Sequence, residues 1–151
     1  MVQVKQVHTQ VAPNIYDIPG PRRGAILLVE DRSDVRIGLA QLLQLHGFVV
    51  RDTDNGEQAF EQLASAPGAF ALLLLDLVLP GRMDGRELRA RQLADADAAL
   101  VPTVVVSACE PDEHLRAQLQ PAAWLEKPFR IEALLAVVKQ HVLPEWEPDQ
   151  E

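Results

Sequence analysis

Three carboxylates, a hydroxyl and a lysine in this chain each follow directly on a short apolar run. Glu30 and Asp31 follow residues 25–29, Asp76 follows 70–75, Ser107 follows 103–106, and Lys127 comes just after 122–125. Taken singly, each has an ordinary explanation. An acidic residue at the end of a strand is most often a helix cap or a solvated loop residue. A lone serine there caps a turn, and a lone lysine keeps its ammonium in water while its stem lies on the protein. Taken together they describe a site. Three clustered carboxylates repel one another, and a fold holds them together only when a cation offsets their charge. Oxygen ligands with no histidine or thiolate among them favour Mg²⁺. A lysine and a hydroxyl beside such an ion provide what a transferred phosphoryl group requires, namely charge neutralisation on its equatorial oxygens and a hydrogen-bond donor.

The segments that must position these groups alternate regularly. Residues 25–29, AILLV, form a continuous apolar run of the kind that a parallel sheet buries on both faces. The pattern predicts a helix over 33–46, with Val35, Leu39, Leu42 and Leu43 on one face and Gly47 just past its end. Residues 48–51 are predicted as a second, short strand that ends in Arg51-Asp52, away from the centre. Asn55-Gly56 then leads into a helix with Ala59, Phe60, Leu63 and Ala64 turned inward. Residues 70–75 are the most apolar stretch and are predicted as the central strand. Helices are predicted over 85–93 and 112–119, and strands over 103–106 and 122–125. The last helix, 130–142, carries Ile131, Leu134, Leu135 and Val138 at three-four spacing. Five such units imply a doubly wound α/β fold with a five-stranded parallel sheet. In the order 2-1-3-4-5, its carboxyl rim would carry all five chemical groups, because open parallel sheets bind ligands there.

Composition sets the remaining bounds. The chain has 151 residues, 48% of them hydrophobic and 5% aromatic, which suits one domain with an aliphatic core. A net charge of −8 argues against non-specific binding to nucleic acid or to an anionic membrane. The single cysteine, Cys109, permits no internal disulfide and points to a reducing compartment. No signal-peptide core or membrane-spanning run is present, so a cytoplasmic location is expected. Residues 1–24, ending in Pro19, Gly20, Pro21 and Gly24, are expected to be an arm or linker. Residues 25–143 are expected to form the domain, and 144–151 a frayed acidic tail.

The segments ILLVEDRSDVR, LLLLDLVLPGRMDG, VVVSA and LEKPF resemble, in order and spacing, the four motifs of response-regulator receivers. The resemblance covers residues 25–142 and implies a flavodoxin-like (βα)₅ fold acting as a phosphorylation switch of two-component or phosphorelay signalling. It implies that Asp76 accepts a phosphoryl group from a histidine kinase or a histidine phosphotransfer protein. Asp31 matches the direct Mg²⁺ ligand, Glu30 its acidic neighbour acting through water, and the backbone carbonyl of Val78 a further ligand. Ser107 matches the hydroxyl that bonds the attached phosphoryl group, and Lys127 the lysine that pairs with its oxygens, with a cis bond to Pro128. The resemblance further implies signalling to a downstream protein through the face made by the fourth helix, fifth strand and fifth helix. It implies no enzymatic role beyond assisting the chain's own phosphorylation and dephosphorylation. With few residues after Val142, no output domain is expected, so the chain would be a stand-alone receiver or a piece of a larger protein.

Three positions depart from the family pattern. The loop after Asp76 is one residue longer than its commonest form, with Arg82 ahead of Met83-Asp84-Gly85. Trp124 stands where Tyr or Phe is usual. Gln120-Pro-Ala-Ala replaces a Gly-Ala turn, which alters the exit of the fourth helix. Rival readings fit less well. A phosphatase of the haloacid dehalogenase type needs a second carboxylate two residues past its nucleophile, and position 78 is Val. A flavodoxin-like electron carrier needs a hydroxyl-rich loop after the first strand, where this chain has Glu-Asp-Arg-Ser-Asp. No GxGxxG or Walker loop is present. A pseudo-receiver that kept only the fold would have no use for the full set of Glu30, Asp31, Asp76, Ser107 and Lys127.

Overall fold

A computed structural model of the chain describes residues 20–147, and what was expected of 1–19 and 148–151 lies outside the described residues. Five strands, β1 (Ala25–Val29), β2 (Val50–Thr53), β3 (Phe70–Asp76), β4 (Thr103–Ser107) and β5 (Ala123–Glu126), form one parallel sheet in the order β2-β1-β3-β4-β5. The helices α1 (Ser33–Leu45), α2 (Gly56–Ser65), α3 (Gly85–Ala94), α4 (Glu113–Leu119) and α5 (Ile131–His141) follow the strands in turn. This is the doubly wound arrangement that the alternation of apolar runs implies.

Side chains alternate across the pleat, so each central strand feeds two cores. Ile26, Leu28, Leu72, Leu74, Val104 and Val106 pack with Leu43 of α1 and with Leu134 and Val138 of α5. Leu27, Val29, Leu73 and Leu75 pack on the other face with Leu63 of α2 and Leu88 of α3. A third, smaller cluster joins Leu77, Val105 and Leu119, with Leu115 and Trp124 against it. β3 is buried along its whole length, as a central strand must be. Three helices start on side-chain caps three residues upstream of the bonded amide. Asn55 accepts from the Gln58 N–H, Asp84 from Glu87 and Asp112 from Leu115, each bond satisfying a donor that the first turn leaves free.

Two expectations about the elements need correction, the first being Ala64, which was expected to face inward on α2 and is exposed. The other is the second strand, which is Val50–Thr53 rather than 48–51. Phe48 is buried without pairing in the sheet, whereas Arg51 and Asp52 pair with β1 and stay exposed. The apolar signal at 48 reports core burial, and an edge strand needs little apolar content of its own. Backbone hydrogen bonds join residues on either side of positions 25 and 143. The Arg22 N–H donates to the His141 carbonyl (2.9 Å), the Leu143 N–H to Arg22 (2.9 Å), and the Glu145 N–H to Gly47 (2.8 Å). The start of the acidic tail is therefore tied to the end of α1. Gly47 makes this possible, since it takes φ 90° and lies against the Trp146 carbonyl with no room for a Cβ. Among the described residues no helix is long and apolar enough to cross a membrane.

Candidate functional site

Asp76 is the last residue of β3, between the ends of β1 and β4, and only 8% of its surface is exposed. Its Oδ1 accepts from the Val78 N–H at 2.9 Å, and its Oδ2 meets Lys127 Nζ at 3.0 Å. Lys127 follows the end of β5, where its bond to Pro128 is cis, and its Nζ also reaches Glu30 Oε1 at 3.2 Å. Carboxylate oxygens of Glu30, Asp31 and Asp76 lie within 4.8 Å of one another. Glu30 is buried whereas Asp31 is exposed, so one acid faces the protein and the other the solvent.

The electrostatics follow from this crowding. Burial first, then the neighbouring Asp76 carboxylate, push the Glu30 carboxyl up from 4.5 to about 7, against the pull of Lys127. Burial acts to lower the Lys127 pKa, but the hydrogen bonds and charges of Asp76 and Glu30 outweigh it and the pKa is raised. Three carboxylates against one ammonium leave the rim acidic. Among the described residues, Glu30 Oε2 is the one buried side-chain polar atom with no hydrogen-bond partner. An orphaned oxygen in an oxygen-only, acidic cluster fits a hard divalent cation such as Mg²⁺. Glu30, Asp31 and Asp76 are the side chains that could hold it.

Ser107 ends β4, one residue past the Val106 that pairs with Asp76, and is half-buried. Its Oγ accepts from the Cys109 N–H at 3.3 Å. Val78 is 76% exposed and lies next to the acceptor through its N–H. Glu30, Asp31, Asp76 and Lys127 thus form the cluster itself, while Ser107 and Val78 border it.

Other residues hold this rim in place without a role read from the motifs, although Arg36 and Gly85 close two of the quoted segments. Arg36 of α1 donates to the Glu30 carbonyl (Nη1, 3.0 Å) and pairs with Asp52 (Nε, 3.0 Å), tying the end of β1 to β2. Glu57 accepts from the Met83 N–H at 2.8 Å and so anchors the lengthened loop after β3. Gly85 donates its N–H to the Leu77 carbonyl at 3.0 Å, which brings the start of α3 against the acceptor's backbone. No spacing rule pairs Arg36 or Glu57 with partners on other elements. Gly85 could have been singled out as the glycine that opens a helix after a capping aspartate.

A family model of the response regulator receiver domain matches residues 26–139. The chain belongs to the response-regulator receiver family. This receiver is 35% identical over 122 residues to the response regulator receiver protein CpdR of Brucella abortus, covering 78% of this chain and 96% of that protein. It is 33% identical over 119 residues to the transcriptional regulatory protein YkoG of Bacillus subtilis, of which it spans 50%, for 78% of its own length. It is 32% identical over 117 residues to the sensor kinase CckA of Brucella abortus, in a match that takes in 76% of the receiver and 12% of the kinase. Among solved structures it resembles the receiver domain of the sensor histidine kinase PA1611 from Pseudomonas aeruginosa, which has a magnesium ion coordinated in its active-site cleft. That likeness has a TM-score of 0.70 at 24% identity and covers 80% of this chain and 98% of the other. The chemotaxis protein CheY4 of Vibrio cholerae gives a TM-score of 0.71 at 22% identity, covering 80% and 100%. At these identities the two structures establish the fold alone.

Proposed function

We propose that this receiver takes a phosphoryl group onto Asp76 from a histidine kinase or a histidine phosphotransfer protein in the cytoplasm, and signals by a change of conformation. The observation that carries the reading is the placement of Asp76. A carboxylate at the end of a strand buried along its whole length has an ammonium 3.0 Å from one oxygen and two further carboxylates within 4.8 Å. In the transfer, an Asp76 carboxylate oxygen forms the new O–P bond as the N–P bond to the donor's imidazole breaks, and that nitrogen regains a proton from solvent. Lys127 stands where it neutralises the phosphoryl oxygens, and the Ser107 hydroxyl provides a donor at the neighbouring strand end. Bound by Glu30, Asp31, Asp76 and the Val78 carbonyl, Mg²⁺ would supply the remaining charge neutralisation. The chain assists its own phosphorylation and dephosphorylation and turns over no separate substrate. Its output goes to a protein partner through the face formed by α4, β5 and α5, with no direct contact to nucleic acid or membrane.

The test is labelling with acetyl phosphate and Mg²⁺, read by intact mass. One phosphoryl group, stable in acid and labile to hydroxylamine, is expected on the wild-type protein and none on Asp76→Asn. Undiminished labelling of Asp76→Asn would place the acceptor elsewhere.

A further inference from the structure

Arg89 lies on α3 with 4% of its surface exposed, and every acceptor it meets is uncharged. Its Nε donates to the Leu119 carbonyl (2.7 Å) and its Nη2 to the Gln120 carbonyl (2.8 Å). Its Nη1 donates to Gln92 Oε1 (2.6 Å) and Thr103 Oγ1 (2.9 Å). The Thr103 hydroxyl donates in turn to Gln92 Oε1 at 3.0 Å. Gln92 Nε2 completes the network on the Ala98 and Val101 carbonyls, both at 3.0 Å. The guanidinium fork thus spans three elements: its own α3, the first residue of β4, and the C-terminal end of α4. Burial draws its pKa down to about 10, which leaves it charged at neutral pH.

Two features show that α4 depends on this fork. Of its seven residues only Leu119 is buried and Leu115 half-buried, and the other five are exposed. A helix with so little apolar surface in the core is held weakly by packing. Its exit is also unusual, because Gln120 takes the left-handed conformation (φ 46°, ψ 54°) that helix ends normally give to glycine or asparagine. The Arg89 bonds fall on the carbonyls of Leu119 and Gln120, where the helix dipole is negative and the last-turn acceptors are free. The opposite end of α4 is tied differently. Asp112 caps it, and the 108–111 segment links it to Ser107.

We propose that Arg89 is a positioning residue that clamps the C-terminal end of α4 to α3 and β4, so that α4 rearranges about that end and moves at the end nearer Ser107. The rearrangement rests on the phosphoacceptor reading above, whereas the clamp does not. An apolar replacement would leave the Leu119 and Gln120 carbonyls, Gln92 Oε1 and Thr103 Oγ1 without this donor. What the guanidinium supplies here is geometry, since one planar group with five donors fixes two consecutive carbonyls against a strand.

Amide hydrogen exchange followed by NMR separates the two ends of the helix. The Gln120 N–H, bonded to the Arg116 carbonyl, reports the last turn. The Arg116 N–H, bonded to Asp112, reports the first turn, and the Leu73 N–H, bonded to Pro102 in the sheet, reports global opening. In the wild type, Gln120 is expected to exchange more slowly than Arg116. In Arg89→Leu the protection of Gln120 relative to both Arg116 and Leu73 is expected to fall at least tenfold. Arg89→Lys keeps the charge without the fork and should show the same loss, which covers the case where Arg89→Leu does not fold. An unchanged Gln120 to Arg116 ratio in the folded variant, or a parallel change in all three amides, overturns the clamp. Addition of beryllofluoride and Mg²⁺ to the wild type should alter Arg116 exchange and leave Gln120 protected, and equal changes at both ends overturn the fixed-end motion. A wild type that does not respond to beryllofluoride overturns the phosphoacceptor reading and the motion built on it. The clamp is still decided by the variants without it.

Discussion

Replacing Gly85 by alanine tests whether the start of α3 must touch the acceptor's backbone. An ideal Cβ at Gly85 would lie 2.5 Å from Leu77 Cα, 2.7 Å from the Asp76 carbonyl oxygen and 2.9 Å from the Leu77 carbonyl oxygen. All three are backbone atoms at the end of a buried strand, so none can rotate away as a side-chain tip would. Overpacking of this kind costs roughly 1–3 kcal/mol, and rigid neighbours place the cost in the upper half of that range. Against it stands the gain of about 0.5–1 kcal/mol from replacing glycine by alanine in a helix. The net expectation is a loss of about 1–2.5 kcal/mol. Gly38→Ala is the matched control, because Gly38 lies within α1, is exposed, and has nothing within 4 Å of its would-be Cβ. It should gain about 0.5–1 kcal/mol. Urea denaturation with unchanged slopes would read both as midpoint shifts of opposite sign. Because the clash pushes on the Asp76 carbonyl, Gly85→Ala should also slow labelling by acetyl phosphate, whereas Gly38→Ala should not. If both variants move the midpoint upward, the close approach of α3 to the acceptor is not as tight as the geometry requires, and the reasoning fails.

Three further outcomes follow from the site. The folded protein without metal holds a proton on Glu30 up to about pH 7, against 4.5 unfolded. The stability from that proton is full below 4.5 and lost as pH rises through 7. Mg²⁺ should therefore raise the melting temperature more at pH 8 than at pH 5.5, and equal shifts would remove Glu30 from the account. Val78 and Cys109 lie two residues past Asp76 and Ser107, and neither orients water well. Autodephosphorylation should thus be slow, and faster in Val78→Asn, while equal half-lives would put water access under other control. Trp124 donates its Nε1–H to the Cys109 carbonyl at 3.0 Å. In a Trp146→Phe background, beryllofluoride with Mg²⁺ should change Trp124 emission beyond the effect of Mg²⁺ alone, and identical spectra would exclude movement of the indole.

The rim was legible because central parallel strands are buried on both faces and read as unbroken apolar runs, whose ends locate the chemistry. β2 was not legible in the same way. It is an edge strand with Arg51 and Asp52 outward, and the apolar Phe48 just ahead of it serves the core under α1. The tie between Glu145 and Gly47 is a backbone hydrogen bond, which side-chain composition does not encode. Arg89 is an intermediate case. Gly85, Leu88, Arg89 and Gln92 fall at i, i+3, i+4 and i+7, so inward-facing polar residues were visible in the helical period. Their partners were not, because the acceptors at Leu119 and Gln120 are carbonyls about 30 residues away that only the folded chain brings together.

On the proposed reading, the distribution of burial explains how one chain can hold an unfavourable site and still rearrange. The charge repulsion among Glu30, Asp31 and Asp76 is borne at the end of strands whose leucines are fully buried on both faces, so the sheet has stability to spare at the rim. The same sheet is too well packed to be the element that rearranges. α4 is the opposite case, with a single buried residue, a left-handed exit and one cluster, Leu77, Val105 and Leu119, between it and the acceptor. Leu77 directly follows Asp76, and Trp124 packs on the same cluster while its indole holds the loop after Ser107. On the proposed reading, a charge change at Asp76 therefore meets the helix with the fewest buried residues among those described, through three apolar side chains and one indole hydrogen bond. A change worth only a few kcal/mol at the rim is enough to bias such an element, whereas it would leave α1 or α5, each with two residues buried in the main core, where they are.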